Sequence, residues 1–245
     1  MVHAIARQGR LNHLLSMLSA DDLGLLEPYL EPIALPLRFA LEDIGKPIKH
    51  IYFPDGGIVS VVAKSVQDVQ IEVGIIGREG MTGLNVVMGN NLSANAVYMQ
   101  VEGHGLRVKA DDLRAAMRHS ASLRDCFLHF AQAFMSQMAH TSLANGRAKV
   151  EERLARWLLM AHDRLDGDEL PLTHEFLALM LSVRRPGVTV ALHLLESRGL
   201  ILIKRGLIQI VDREGLEELI GGMYGIPEAE YRRLTGWRGR AAAAR

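Results

Sequence analysis

Arg184 and Arg185, with Thr189, Val190 and His193 shortly after them, are the residues whose types and spacing point most directly to chemistry. Facing outward from one helix, they would read nucleic acid. A guanidinium grips the major-groove edge of guanine through two hydrogen bonds, and a threonine hydroxyl serves a base or a phosphate. Thr173 and His174 precede this group, and Lys204 and Arg205 follow it at an Arg205-Gly206 turn, so further donors stand close on both sides.

Other constellations carry less. Gly74, Gly77, Gly80 and Gly83 are spaced like a phosphate-cradling loop. They lack the Gly-Lys-Ser/Thr ending and the strand–loop–helix setting, so they read as turns. Cys126 and His129 have a metal-compatible spacing on one helix face, but no further ligand set accompanies them, and Cys126 reads as a core residue. His119, His140 and His162 are scattered. No nucleophile–base–acid arrangement stands out. No catalytic residue, metal or cofactor is expected.

The elements that must position the arginines can be read locally. Thr173 is an N-cap with Glu175 in the first turn, so a helix runs from there through Phe176, Leu177, Leu179 and Met180. A turn follows at Ser182–Arg184. Pro186 is tolerated in the first turn of a second helix, which continues to about Arg198 and stops at Gly199. Ala178 is small where the helices approach, Ser182 takes a turn position usually given to glycine, and Leu177, Leu181, Val183, Val188 and Ala191 are apolar between them. This is a helix-turn-helix pattern. Leu200–Arg205 and Leu207–Val211 then form a hairpin wing with a basic tip.

Upstream, helices are expected at Leu11–Leu18 and Ala20–Leu30. Strands are expected at Ile48–Phe53, Ile58–Ala63, Val69–Ile76 and Ala96–Val101, separated by glycine punctuation that includes Gly103 and Gly105. Short strands at such spacing predict a small barrel or sandwich. Helices follow at Ala110–Arg118, Leu123–Asn145 and Val150–Leu165, with a break at Gly146. Along Leu123–Asn145 the residues Leu123, Phe127, Phe130, Phe134, Met138 and Thr141 form an apolar stripe. It fits either packing within its own domain or a dimer seam between two copies, and the dimer seam is the expectation taken forward.

Bulk properties bound the rest. The 245 residues are 49% hydrophobic and 23% charged, as in a globular protein of one or two domains. A formal net charge of zero does not advertise a nucleic-acid partner. Arg184, Arg185, Arg198, Lys204 and Arg205 nevertheless cluster, and Arg232, Arg233, Arg238 and Arg240 follow in the tail. A single cysteine excludes a disulfide framework within one chain. No membrane-spanning run or signal peptide is read, so the cytoplasm is the expected location.

With these residues in place, the chain resembles the Crp/Fnr family of bacterial regulators. The resemblance is strongest over Leu172-Thr173-His174-Glu175, Val183-Arg184-Arg185-Pro186-Gly187-Val188-Thr189 and Leu195-Glu196-Ser197-Arg198-Gly199-Leu200-Ile201. Weaker support comes from Ile51-Tyr52-Phe53-Pro54-Asp55-Gly56 and Gly77-Arg78-Glu79-Gly80-Met81-Thr82-Gly83. It implies an α+β fold: a cyclic-nucleotide-binding-like β-roll (residues 1–120), a dimerisation helix and hinge (121–147), and a winged helix-turn-helix domain with a basic tail (148–245). It also implies a homodimeric transcription regulator on double-stranded DNA, with RNA polymerase and a small-molecule effector as further partners. Arg185 matches the family's guanine-reading arginine, and Thr173 a phosphate-contacting threonine. Pro186 and Val190 replace a glutamate and an arginine that contact bases, so a different operator is expected.

In the ligand site Glu79 stands where the family binds ribose, and Gly80, Met81, Thr82 and Asn95 complete the expected effector pocket. The stretch Leu92-Ser93-Ala94-Asn95-Ala96 has no arginine for a cyclic phosphate, so tight binding of cyclic AMP is not expected. The competing reading is a sensor module of cyclic-nucleotide type that acts through a protein partner without touching DNA.

Overall fold

The computed structural model describes residues 12–67 and 69–240. The described chain opens on Asn12, whose side-chain oxygen caps helix α1 (His13–Met17) and whose amide donates to the carbonyls of Pro54 and Gly80, both at 2.8 Å. Helix α2 (Ala20–Leu26) begins at Ser19, which accepts from the Asp22 N–H, and Asp21 and Asp22 favour the positive end of the helix dipole.

Among the described residues, seven strands follow: β1 (Glu31–Leu35), β2 (Ala40–Glu42), β3 (His50–Pro54), β4 (Ile58–Lys64), β5 (Gln70–Ile76), β6 (Ala96–Val101) and β7 (Gly103–Lys109). They form two antiparallel sheets, ordered β1-β7-β3 and β2-β6-β4-β5, which make up the β-roll. A one-turn helix α3 (Leu84–Val87) lies between β5 and β6. β1, β2 and β7 were not expected. Gly103 and Gly105, read as punctuation, are strand residues. A Cβ on either would stand 2.0 Å from Gly56 O and 2.2 Å from Phe53 O respectively, so glycine marks close backbone approach there.

Helix α4 (Ala110–His119) leads through Ser120 into the long helix α5 (Ala121–Arg147). The dimer-seam expectation needs correcting. Leu123, Phe127, Phe130 and Phe134 are fully buried in the chain's own β-roll core, where Phe127 meets Phe53 with ring centroids 5.9 Å apart. Phe130 and Phe134 pack against Gly80 and Gly74, where a Cβ would collide with the rings. Met138 packs against this core from a half-buried position, and Thr141 is half-buried with its hydroxyl donating to Gln137 O at 2.9 Å. Periodicity revealed the apolar face of the helix but not what covers it.

The break after α5 falls at Ala148, in extended conformation, rather than at Gly146. Helix α6 (Val150–His162) starts where Glu152 accepts from the Lys149 N–H at 2.8 Å. Then come β8 (Glu169–Leu170), α7 (His174–Leu181), α8 (Arg185–Ser197), β9 (Ile201–Lys204), β10 (Leu207–Ile210), α9 (Arg213–Leu219) and α10 (Ile226–Thr235). β8 adds a third strand to the wing, in the order β8-β10-β9. A second core gathers α6 to α9 and the wing, with Trp157, Leu177, Val188, Leu195 and Leu216 buried in it.

The tail also departs from expectation. α10 packs along α5, and Tyr231 and Trp237 are buried in the first core, so residues 226–237 join the β-roll. Arg240 donates to Asp168 at 2.7 Å and Arg233 to Glu230, so two of the four tail arginines are tied into internal pairs.

Candidate nucleic-acid interface

The α7–α8 unit places the arginines through local chemistry. Thr173 Oγ1 caps α7 by accepting from the Phe176 N–H at 3.3 Å. The turn depends on Ser182, which adopts the left-handed conformation (φ 50°, ψ 45°), and Val183 N–H then closes onto Ala178 O at 3.0 Å. Val188, Ala191, Leu192 and Leu195 bury one face of α8. Arg184, Arg185, Val190 and His193 are exposed on the rest of the helix, and Thr189 is half-buried.

The polar contacts of this face are few and weak. Arg185 Nη2 lies 3.5 Å from Glu175 Oε2, with both side chains largely exposed. Thr189 Oγ1 donates to Arg185 O at 3.2 Å and lies 3.4 Å from His174 Nδ1. His193 Nδ1 is 3.6 Å from Glu196, whose other oxygen accepts from the Ile203 N–H at 2.9 Å and so ties α8 to the wing. At the wing tip, Gly206 takes φ 74° and leaves Arg205 exposed. Lys204 is held by Glu169 at 2.7 Å, so of the two wing cations Arg205 is the freer. Exposed pairs of this kind are worth about 0–1 kcal/mol, so a phosphate or guanine can displace them.

Arg38 is a residue that sequence reasoning missed. It sits between β1 and β2 with φ 65°, its guanidinium 5.6 Å above the Phe176 ring and 3.8 Å from Glu175. It joins the β-roll to α7, and no local pattern announces a contact across that many residues.

The expected effector residues separate. Thr82 and Asn95 line a cavity of about 70 Å³ between the β-roll and α5. Glu79, Gly80 and Met81 do not line it. Glu79 is fully buried, accepting from Arg164 Nε at 2.8 Å and from the Gly77 N–H at 3.1 Å; Met81 is core, and Gly80 lies under Phe130. The cavity's acidic group is Glu42, which sequence reasoning did not single out. Its oxygens accept from the Gly83 N–H and from Ser93 Oγ, each at 2.7 Å, and burial raises its pKa. Met88, Met135, Met138 and Phe134 supply apolar wall, and among the described residues no Lys or Arg lines the space.

Comparison with known proteins agrees with this geometry. Residues 152–219 match the family model for the Crp-like helix-turn-helix domain. The chain carries that domain on the fold of Crp/Fnr-family regulators. A solved Crp/Fnr-family structure from Eubacterium rectale aligns with a TM-score of 0.66 at 19% identity, over 84% of this chain and 97% of the other. FixK2 from Bradyrhizobium japonicum aligns at 0.68 and 16% identity, over 78% and 96%. A c-di-GMP-responsive regulator from Xanthomonas campestris aligns at 0.63 and 15% identity, over 78% and 99%. A search of curated proteins finds no match. At such identities the structural likeness establishes the fold. The Crp-like domain match ends before α10, the segment that returns to the β-roll core. Among the described residues, no helix is long and apolar enough to cross a membrane, and no cluster of three or more His, Cys, Asp or Glu could hold a metal.

Proposed function

We propose that the chain is a sequence-specific transcription regulator of the Crp/Fnr type that binds a pseudo-palindromic operator as a homodimer. The observation that carries the reading is the outward face of α8, with Arg184, Arg185, Thr189, Val190 and His193 directed away from a buried apolar face. Arg185 reads guanine, and Thr173, His174, Lys204 and Arg205 serve phosphates.

Pairing is assigned to α5, through the face opposite the buried stripe. Leu128, Gln132, Met135, Ala139 and Ser142 are all exposed there and alternate at steps of four and three, the repeat of a two-helix seam. Met135 also lines the β-roll cavity, so an effector would touch the pairing helix directly. Its influence on DNA affinity would equal its difference in affinity for the two conformations. With Glu42 in the cavity and no cation beside it, the effector is a neutral or cationic molecule and not cyclic AMP.

Selecting duplexes from a random pool tests this. Enrichment of an inverted repeat with half-site centres about 10–10.5 base pairs apart supports it. No enriched sequence, with the chain folded, favours a sensor that acts through a protein partner.

A further inference from the structure

A second polar space lies apart from the β-roll cavity and the DNA-facing surface, where β5, the end of α5, α6 and the end of α7 meet. It measures about 20 Å³, and Thr141, Asn145, Arg153, Arg156, Trp157 and Glu72 are among its walls. One water needs roughly 10–15 Å³ of such space, so a small polar group fits.

Two arginines one turn apart on α6 line it, and among the described residues neither is paired with an anion. Arg156 is 4% exposed; its Nε donates to Met223 O at 3.1 Å and its Nη1 to Thr141 Oγ1 at 3.2 Å, while its buried Nη2 has no partner. Arg153 donates Nη1 to Asn145 Oδ1 at 3.4 Å, and its buried Nε has no partner. Every acceptor they have is neutral. Burial lowers the pKa of both, and for Arg156 the charges of Glu228 and Glu72 are among those that oppose the shift. Glu72, in the same wall, is already engaged by Ser60 Oγ at 2.5 Å and Trp157 Nε1 at 2.6 Å, and burial pushes its pKa up to about 7. Buried guanidinium N–H groups to which no carboxylate is hydrogen-bonded are poorly compensated, and an oxyanion is what their forked geometry accepts best.

We infer that this space binds a small oxyanion, as free phosphate or as the terminal phosphoryl group of a larger molecule, through Arg153 and Arg156. Its walls come from the β-roll, the long helix and the helix-turn-helix unit, so the anion favours the arrangement in which the three meet. Bound ligand stabilises the state that binds it, by mass action.

Calorimetry and thermal melts of the full chain in sodium phosphate, against sodium chloride of equal ionic strength, test the site. The expected result is one saturable phosphate site per chain and a higher Tm in phosphate. Arg153→Gln should weaken binding by about tenfold or more, while Arg153→Lys, which keeps the charge but not the fork, should weaken it less. Phosphate also stabilises proteins by exclusion from their surface. No saturable heat, or a Tm gain undiminished in Arg153→Gln, therefore overturns the site. Should Arg153→Gln fail to fold, Asn145→Asp is the second arm. It places a carboxylate on an atom that already accepts from Arg153, so it should raise Tm without phosphate and abolish phosphate binding. Undiminished phosphate binding in Asn145→Asp contradicts the inference.

Discussion

Arg164 donates its Nε to Glu79 Oε1 at 2.8 Å, with side-chain exposures of 1% and 0%. The pair links the segment after α6 to the β5–α3 turn of the β-roll, and the guanidinium also lies 5.1 Å from the Trp237 ring and 5.9 Å from Tyr231. Removing one partner of a buried pair strands the other charge, at a cost of about 3–5 kcal/mol. Arg164→Met is expected to lose stability of that order in urea denaturation. A loss below about 1 kcal/mol would mean that Glu79 finds other compensation.

Ser182 is a non-glycine residue in the left-handed region. That conformation costs an L-residue about 1–2 kcal/mol, less for small polar types. Ser182→Gly should raise stability by up to about 1 kcal/mol and leave DNA affinity unchanged, since the helices keep their angle. Destabilisation would show that the Ser182 side chain contributes a contact outweighing the strain.

The helix-turn-helix was legible because its determinants are local: Thr173 caps, Ser182 turns, Gly199 stops and Gly206 closes the wing within a few residues of what they shape. What covers an apolar stripe is not local. Leu123, Phe127, Phe130 and Phe134 announce a face, but Gly74 and Gly80, which admit the rings, sit on β5 and in the turn after it, far away in the chain. The lining of the β-roll cavity was half legible for the same reason. Glu79 has the right motif around it, yet its partner Arg164 is 85 residues on, and the cavity is left to Glu42. The tail reads as basic, because its arginines outnumber Tyr231 and Trp237, the two rings that anchor it.

If α5 pairs through its outer face, Met135→Glu places a charge at the centre of the seam. Sedimentation should then show a monomer where the parent is a dimer, with the melting profile of each fold retained. A dimer surviving Met135→Glu would move the interface elsewhere.

Glu72 gives stability a pH dependence. Its pKa is raised from 4.5 to about 7 when folded, because burial penalises the carboxylate. Its contribution is therefore fully present below about pH 4.5 and is lost as pH rises through about 7. Glu72→Gln cannot ionise and keeps an oxygen for Trp157 Nε1, so the decline in urea midpoint over that window should flatten. An unchanged slope would assign it to another group, such as Asp55, which burial raises to about 6.

The most direct measurement of the central claim is fluorescence anisotropy of the selected duplex and a scrambled duplex, titrated with the parent chain and Arg185→Ala at several salt concentrations. The account predicts affinity falling steeply with salt for the parent, through counterion release. It also predicts that Arg185→Ala loses about 1–3 kcal/mol on the selected duplex and much less on the scrambled one. Equal losses on both would make Arg185 a phosphate contact, and salt-independent or absent binding would contradict DNA recognition by α8.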